Sequence, residues 1–204
     1  MNAYVLAGGL STRMGTAKKD LQLGGRSFLE LVVSAASCSF EKVFVVIRAG
    51  QEMKVPEPAF VLRERPHRES APLFGIAAAL EHSGGVGVWI LATDYPLLEP
   101  SLLNFLRDEF VRSEADLLVP EVDGKAHMLC AGYSAKLKGA IDGRLAAGEF
   151  RLRDLVPVGR TRVVQQQEIV AHAPLETLWN VNSPQDYARI GGLHGRGNRA
   201  HSPR

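Results

Sequence analysis

Short apolar runs alternate along this chain with longer segments in which apolar residues recur every three or four positions. Residues 3–7, 42–47 and 86–92 are nearly unbroken apolar stretches, the pattern of strands covered on both faces of a sheet. Residues 59–62, 116–119 and 127–133 read as further strands, with Asp123-Gly124 a turn between the last two. Residues 27–37, 73–82, 100–112 and 134–147 carry helical spacing, and Ser183 followed by Pro184 opens a last helix. Strands separated by helices imply βαβ units and an open, mostly parallel sheet with helices on both faces. No internal repeat or linker breaks the pattern. One α/β domain over residues 1–190 is the expectation.

Composition adds few constraints. The chain has 204 residues, 46% hydrophobic and 23% charged, close to ordinary globular proteins. Its formal net charge is +2, and residues 191–204 contribute Arg196, Arg199 and Arg204 with no acid. The remainder is near neutral, so a general nucleic-acid surface is not expected. That basic, glycine-rich tail has little to bury and is expected to be disordered. Cys38 lies in an apolar helical run and Cys130 in a strand-like run, far apart in sequence, so both are expected to be buried thiols. No signal-peptide pattern or membrane-length apolar run is visible, which makes cytoplasmic residence the expectation, without a membrane partner.

The chemistry concentrates at strand ends, where open α/β sheets hold ligands. After the first strand the chain reads Leu6-Ala7-Gly8-Gly9-Leu10-Ser11-Thr12-Arg13-Met14-Gly15-Thr16-Ala17-Lys18. Gly8 and Gly9 allow the backbone to approach a ligand closely and expose N–H groups to phosphate oxygens. Arg13 and Lys18 add permanent positive charge. The spacing is neither GxGxxG nor GxxxxGK[ST], which disfavours a dinucleotide oxidoreductase site and a P-loop. Beyond the strand at 86–92 stands Thr93-Asp94-Tyr95-Pro96. An acid in that position can hold Mg²⁺, which shares substrate phosphates. The alternative reading is that Asp94 serves a local turn or helix cap.

The string L-A-G-G-x-S-x-R-M-G-x-x-K resembles the signature of the MobA-like nucleotidyltransferases, the molybdenum cofactor guanylyltransferase family. The resemblance implies a single-domain, three-layer α/β/α Rossmann-like nucleotidyltransferase fold. It assigns Leu6, Ala7, Gly8 and Gly9 to the nucleotide, Arg13 and Lys18 to its phosphates, and Asp94 to magnesium within a C-D-x-P-[FL]-L motif, where Thr93 replaces Cys. An acid seven residues before G-P-L-x-G contacts guanine in the family. Here the count back from Ala71 lands on Glu64, with Glu for Asp and Ala for Gly, while Arg63, Arg65 and Arg68 are alternative partners for it. The family's Asn after the second strand is missing from Val46-Ile47-Arg48-Ala49-Gly50. Trp179-Asn180-Val181-Asn182-Ser183-Pro184 resembles a family segment bordering the site, which makes Asn180 and Asn182 candidates for metal or acceptor support. Alternation would turn both to one face. The implied reaction passes GMP from GTP to the phosphate of molybdopterin or the molybdenum cofactor and releases pyrophosphate. Alternatives are a relative using CTP or another NTP on a different phosphorylated acceptor, or a non-catalytic nucleotide-binding module. Partner proteins that deliver or receive the molybdenum cofactor are left open.

Overall fold

A computed structural model describes residues 1–8 and 21–197. The first strand, β1 (Ala3–Leu6), is followed by a small hairpin of β2 (Gln22–Leu23) and β3 (Arg26–Ser27). Then come α1 (Phe28–Ser37), β4 (Val43–Ile47), β5 (Phe60–Arg63), α2 (Pro72–His82), β6 (Val88–Ala92) and α3 (Pro100–Ser113). The second half contains β7 (Leu117–Val122), β8 (Lys125–Ala126), β9 (Cys130–Tyr133), α4 (Lys138–Ala146), β10 (Thr161–Gln165), α5 (Gln166–Ile169) and α6 (Pro184–Gly197).

The main sheet has the order β10-β7-β9-β6-β1-β4-β5, with β8 paired to β7. β5, β4, β1 and β6 are mutually parallel, and β10 runs parallel to β7. β9 is antiparallel to both of its neighbours. The sheet is therefore mixed but mostly parallel, with helices on both faces, as the α/β pattern implied. Strand alternation divides the core. Ala3, Val5, Trp89 and Leu91 face α1 and α3, where they meet Val32, Val33, Leu102 and Leu106. Tyr4, Val88 and Ile90 face α2 and α4, against Leu73, Ile76, Leu80 and Ile141. A third cluster joins Phe28, Leu23, Val181 and Ile190 and seats α6.

Local chemistry fixes the helix ends. Ser27 and Glu30 form a capping box, with Glu30 N–H donating to Ser27 Oγ at 3.2 Å and Ser27 N–H to Glu30 Oε2 at 2.6 Å. Ser183 and Asp186 repeat the device at α6. Two expectations need correction. Cys38 is exposed, because it follows α1 as its cap residue after the apolar stripe has ended, whereas Cys130 is buried. The tail expected from Gly191 begins as helix, since α6 continues to Gly197. Once capped and anchored by buried Ile190, a helix gains a bond per residue and crosses a glycine pair. Residues 198–204 lie outside the described part.

Gly132 on β9 stands opposite Trp89 on β6, and the indole covers it. A Cβ there would come within 2.8 Å of Phe110 Cγ and 2.9 Å of Trp89 Cζ3. Gly132→Ala should therefore cost about 1–3 kcal/mol through overpacking. In urea unfolding the midpoint is expected to fall with an unchanged m-value; an unshifted midpoint would refute this close packing.

Candidate active site

Parallel pairing brings four strand ends together. Leu6 stands opposite Val46 on one side and Ala92 on the other, while Ile47 stands opposite Arg63. The residues that follow are Glu64 after β5, Arg48 after β4, Ala7-Gly8 after β1 and Thr93-Asp94 after β6. Ala7 N–H donates to Val46 O and Glu64 N–H to Ile47 O, both at 2.9 Å, so the alignment persists past the strands. From β1 the chain goes first to β4 on one side and only later to β6 on the other. Between these diverging paths a crevice opens.

On the β4–β5 side, Glu64 is buried, with 9% of its surface exposed. Its Oε2 lies 2.6 Å from His67 Nε2, and His67 Nδ1 lies 2.7 Å from the Glu69 carbonyl. The carbonyl can only accept, so Nδ1–H donates to it. The His67 ring stacks on Phe74 at 3.7 Å, tilted by 4°. Arg48 donates to the carbonyls of His67 and Glu69 at 3.4 and 3.1 Å, which ties the loop after β5 to the end of β4. Between the two segments lies a cavity of about 440 Å³, lined by Gly8, residues 48–51 and residues 65–67. Glu64 directly precedes Arg65 of that lining, with its Oε1 beside Gly8 and Gly75. A Cβ on Gly8 would meet Arg48 Cγ at 2.9 Å and lie 3.7 Å from Glu64 Oε1; one on Gly75 would lie 3.0 Å from the same oxygen. Gly75 leaves room for the carboxylate, and Gly8 leaves room for the Arg48 side chain next to it.

On the β6 side, Asp94 is half-buried, and its carbonyl accepts a 2.9 Å bond from Val181 N–H. This bond lays Asn180-Val181-Asn182 along the aspartate. Val181 is buried, and Asn180 and Asn182 face away from that core. Lys125 on β8 donates to Asn180 Oδ1 at 3.0 Å. Asp186 accepts from Asn182 N–H and from Ser183, which holds its carboxyl below the usual range. Behind Asp94, Tyr95 Oη lies 3.2 Å from buried His127 Nδ1. Burial pushes His127 down to about 4, so the ring is neutral near pH 7 and supplies no charge to a phosphate. The Tyr95 hydroxyl is pushed up, first by burial and then by the Asp94 charge.

Of the residues expected from sequence, Gly8, Glu64, Asp94, Asn180 and Asn182 thus meet at one end of the sheet, with Ala7 beside them. Leu6 instead turns its side chain toward α2, where it packs on Gly75. Gly9, Arg13 and Lys18 lie outside the described residues. Glu64 pairs with His67 rather than with Arg63, Arg65 or Arg68; Arg65 pairs with Glu81 instead. His67, Arg48 and Lys125 were not singled out from sequence, because their relevance arises only when separate strands are aligned.

The model of the MobA-like NTP transferase domain matches residues 3–175. This chain belongs to that family. It is 30% identical to the molybdenum cofactor guanylyltransferase of Rhizobium meliloti (strain 1021), over 90% of this chain and 87% of that protein. It is 34% identical to the "probable molybdenum cofactor guanylyltransferase" of Mycobacterium marinum, over 88% of this chain and 90% of the relative. Among solved structures, molybdopterin-guanine dinucleotide biosynthesis protein A from Archaeoglobus fulgidus superposes with a TM-score of 0.82 at 22% identity, covering 96% of this chain and 100% of that one. The 2-C-methyl-D-erythritol 4-phosphate cytidylyltransferase of Thermus thermophilus shares the fold, with a TM-score of 0.68 at 19% identity over 95% and 98% of the two chains. Membership makes the chain a nucleotidyltransferase of three-layer α/β architecture. No helix among the described residues is long and apolar enough to cross a membrane.

His127 yields a pH prediction. Its folded-state value is depressed, so the unfolded chain binds the proton more readily. The stability associated with neutral His127 is complete above about 6.5 and is lost as pH falls toward about 4. Compared with His127→Gln, the wild type should lose on the order of 1 kcal/mol more per pH unit in that window. Urea unfolding at pH 7 and pH 5 measures the difference, and parallel behaviour of the two proteins would contradict it.

Proposed function

We propose that this protein transfers GMP from GTP to the phosphate of molybdopterin, in its free or molybdenum-loaded form, and releases pyrophosphate. The observation that carries this reading is the alignment of Glu64, Gly8 and Asp94 along adjacent strand ends, with Asn180 to Asn182 laid against the aspartate. The names of the relatives point the same way. The β4–β5 side offers a cavity of a size suited to a base and a buried carboxylate beside it. Guanine presents N1–H and its exocyclic amine together to such a carboxylate, whereas cytosine has no equivalent pair of donors. The β6 side offers Asp94 and, beyond Asn180, the Lys125 ammonium.

The donor set at Asp94 fits magnesium, which takes one or two carboxylates together with substrate phosphates and water rather than a full protein cage. Asp94 would hold the ion, with Asn182 in support, and a bound ion would offset the charge developing on the triphosphate. Arg13 and Lys18 are assigned to the phosphates. An ionised phosphate oxygen of the acceptor attacks the α-phosphorus, the new P–O bond forms as the bond to the β-phosphate breaks, and pyrophosphate carries off the displaced charge. The attacking monoester is already ionised near neutral pH, so no strong general base is needed. Binding in line and charge neutralisation supply the acceleration. Lys125 is assigned to the acceptor phosphate, because it is the positive group tethered beside Asn180 on the side away from the base.

The direct test is transfer of label from α-labelled nucleotides to molybdopterin. Label should pass from GTP and not from CTP, ATP or UTP, and transfer from CTP alone would overturn the base assignment. Asp94→Ala and Lys18→Ala should each lower transfer by about a hundredfold or more while circular dichroism is unchanged. Lys125→Ala should raise the KM for the acceptor and leave the KM for GTP unaltered. Wild-type rates in the Asp94 or Lys18 variants would remove those assignments.

A further inference from the structure

Glu64 carries the base-recognition side of the proposal above, and its geometry is imposed by a residue with no role yet assigned. His67 is held at four points. Its Nδ1–H donates to the Glu69 carbonyl, its ring lies flat on Phe74, its own carbonyl is held by Arg48, and its Nε2 contacts Glu64 Oε2 at 2.6 Å. Two bare lone pairs would repel at that separation, so a proton lies between the imidazole and the carboxylate. The side chains of both residues are about nine-tenths buried. Glu64 Oε1 is left on the side of Gly8 and of Gly75, whose missing Cβ makes room for it. His67 also forms part of the cavity lining.

We propose that His67 is a positioning residue for guanine recognition: it fixes the Glu64 carboxylate so that Oε1 is presented beside Gly8 to the donor edge of the base. This rests on the guanylyl-transfer reading. The physical argument is one of rotamer freedom. A glutamate has three side-chain torsions, and a carboxylate left to choose among them would be ordered only when the base arrives, at an entropic cost to binding. Among the described residues, the guanidinium groups of Arg65 and Arg48 are engaged elsewhere, on Glu81 and on loop carbonyls. The ring, stacked on Phe74 and anchored through Nδ1–H, holds Oε2 by the proton shared with Nε2 and so directs the carboxyl group before the nucleotide binds.

The test compares GTP with inosine triphosphate, which lacks the exocyclic amine, in wild type, His67→Met and His67→Gln. Methionine keeps bulk but offers no donor, whereas glutamine can restore an N–H near the Nε2 position. The wild type should prefer GTP. His67→Met should lose about tenfold or more of that preference, with the loss appearing in the KM for GTP rather than in kcat. His67→Gln should recover most of it. Because each ratio compares two nucleotides on the same folded protein, a general loss of stability does not produce this signature. Undiminished preference in His67→Met, or equal loss in both variants, overturns the inference while leaving the function intact. Failure of the wild type to use or bind GTP overturns both.

Discussion

The pairing of β1 is the constraint on which the site depends. This strand is hydrogen-bonded in parallel on both sides, and its register with β4 and β6 decides which residues emerge together at the carboxyl edge. A shift of one residue would exchange the faces of Tyr4 and Val5, each fully buried against a different helical layer. Core packing therefore locks the register, and the register places Gly8 between Arg48 and Asp94. Because the chain leaves β1 toward β4 and later returns on the other side at β6, the peptide ends diverge there and leave room for a ligand.

Two different environments flank that opening. On the β4–β5 side the carboxylate of Glu64 is buried and tied to an imidazole, a setting suited to directional hydrogen bonds with a neutral ring. On the β6 side Asp94 is half-buried and faces a segment of asparagines anchored at the start of α6. This division of labour follows the sheet itself. In the proposed reaction, strands on one flank of β1 supply recognition, and those on the other supply charge and the approach of an acceptor. The neutral Tyr95–His127 pair beneath Asp94 completes the support without adding positive charge.

The central strands were legible because their residues are apolar on both faces, and the glycine run and Asp94 were legible because they follow such strands directly. Other elements left weaker traces. β10 reads Thr-Arg-Val-Val-Gln, an edge strand with partly exposed ends, and its apolar content is too short to separate it from a loop. β2, β3 and β8 are two residues each and carry no period at all. The reversed direction of β9 depends on where the chain travels, which alternation does not encode. Asn180 and Asn182 were expected to share a face by strand alternation; the segment carries no strand pairing, yet buried Val181 gives it the same alternation. The partner of Glu64 was the least legible feature. A charged run offered three arginines nearby in sequence, and the outcome was set by Phe74, which gives His67 a flat surface, and by Arg48 from a different strand.

The most direct measurement is a crystal structure of the protein with GTP and magnesium. The account predicts guanine in the cavity between Gly8 and His67, hydrogen-bonded to Glu64, with the α-phosphate on the Asp94 side of the opening. A nucleotide bound away from the carboxyl ends of β1 and β6, or with its base turned from Glu64 toward Asn180, would contradict it.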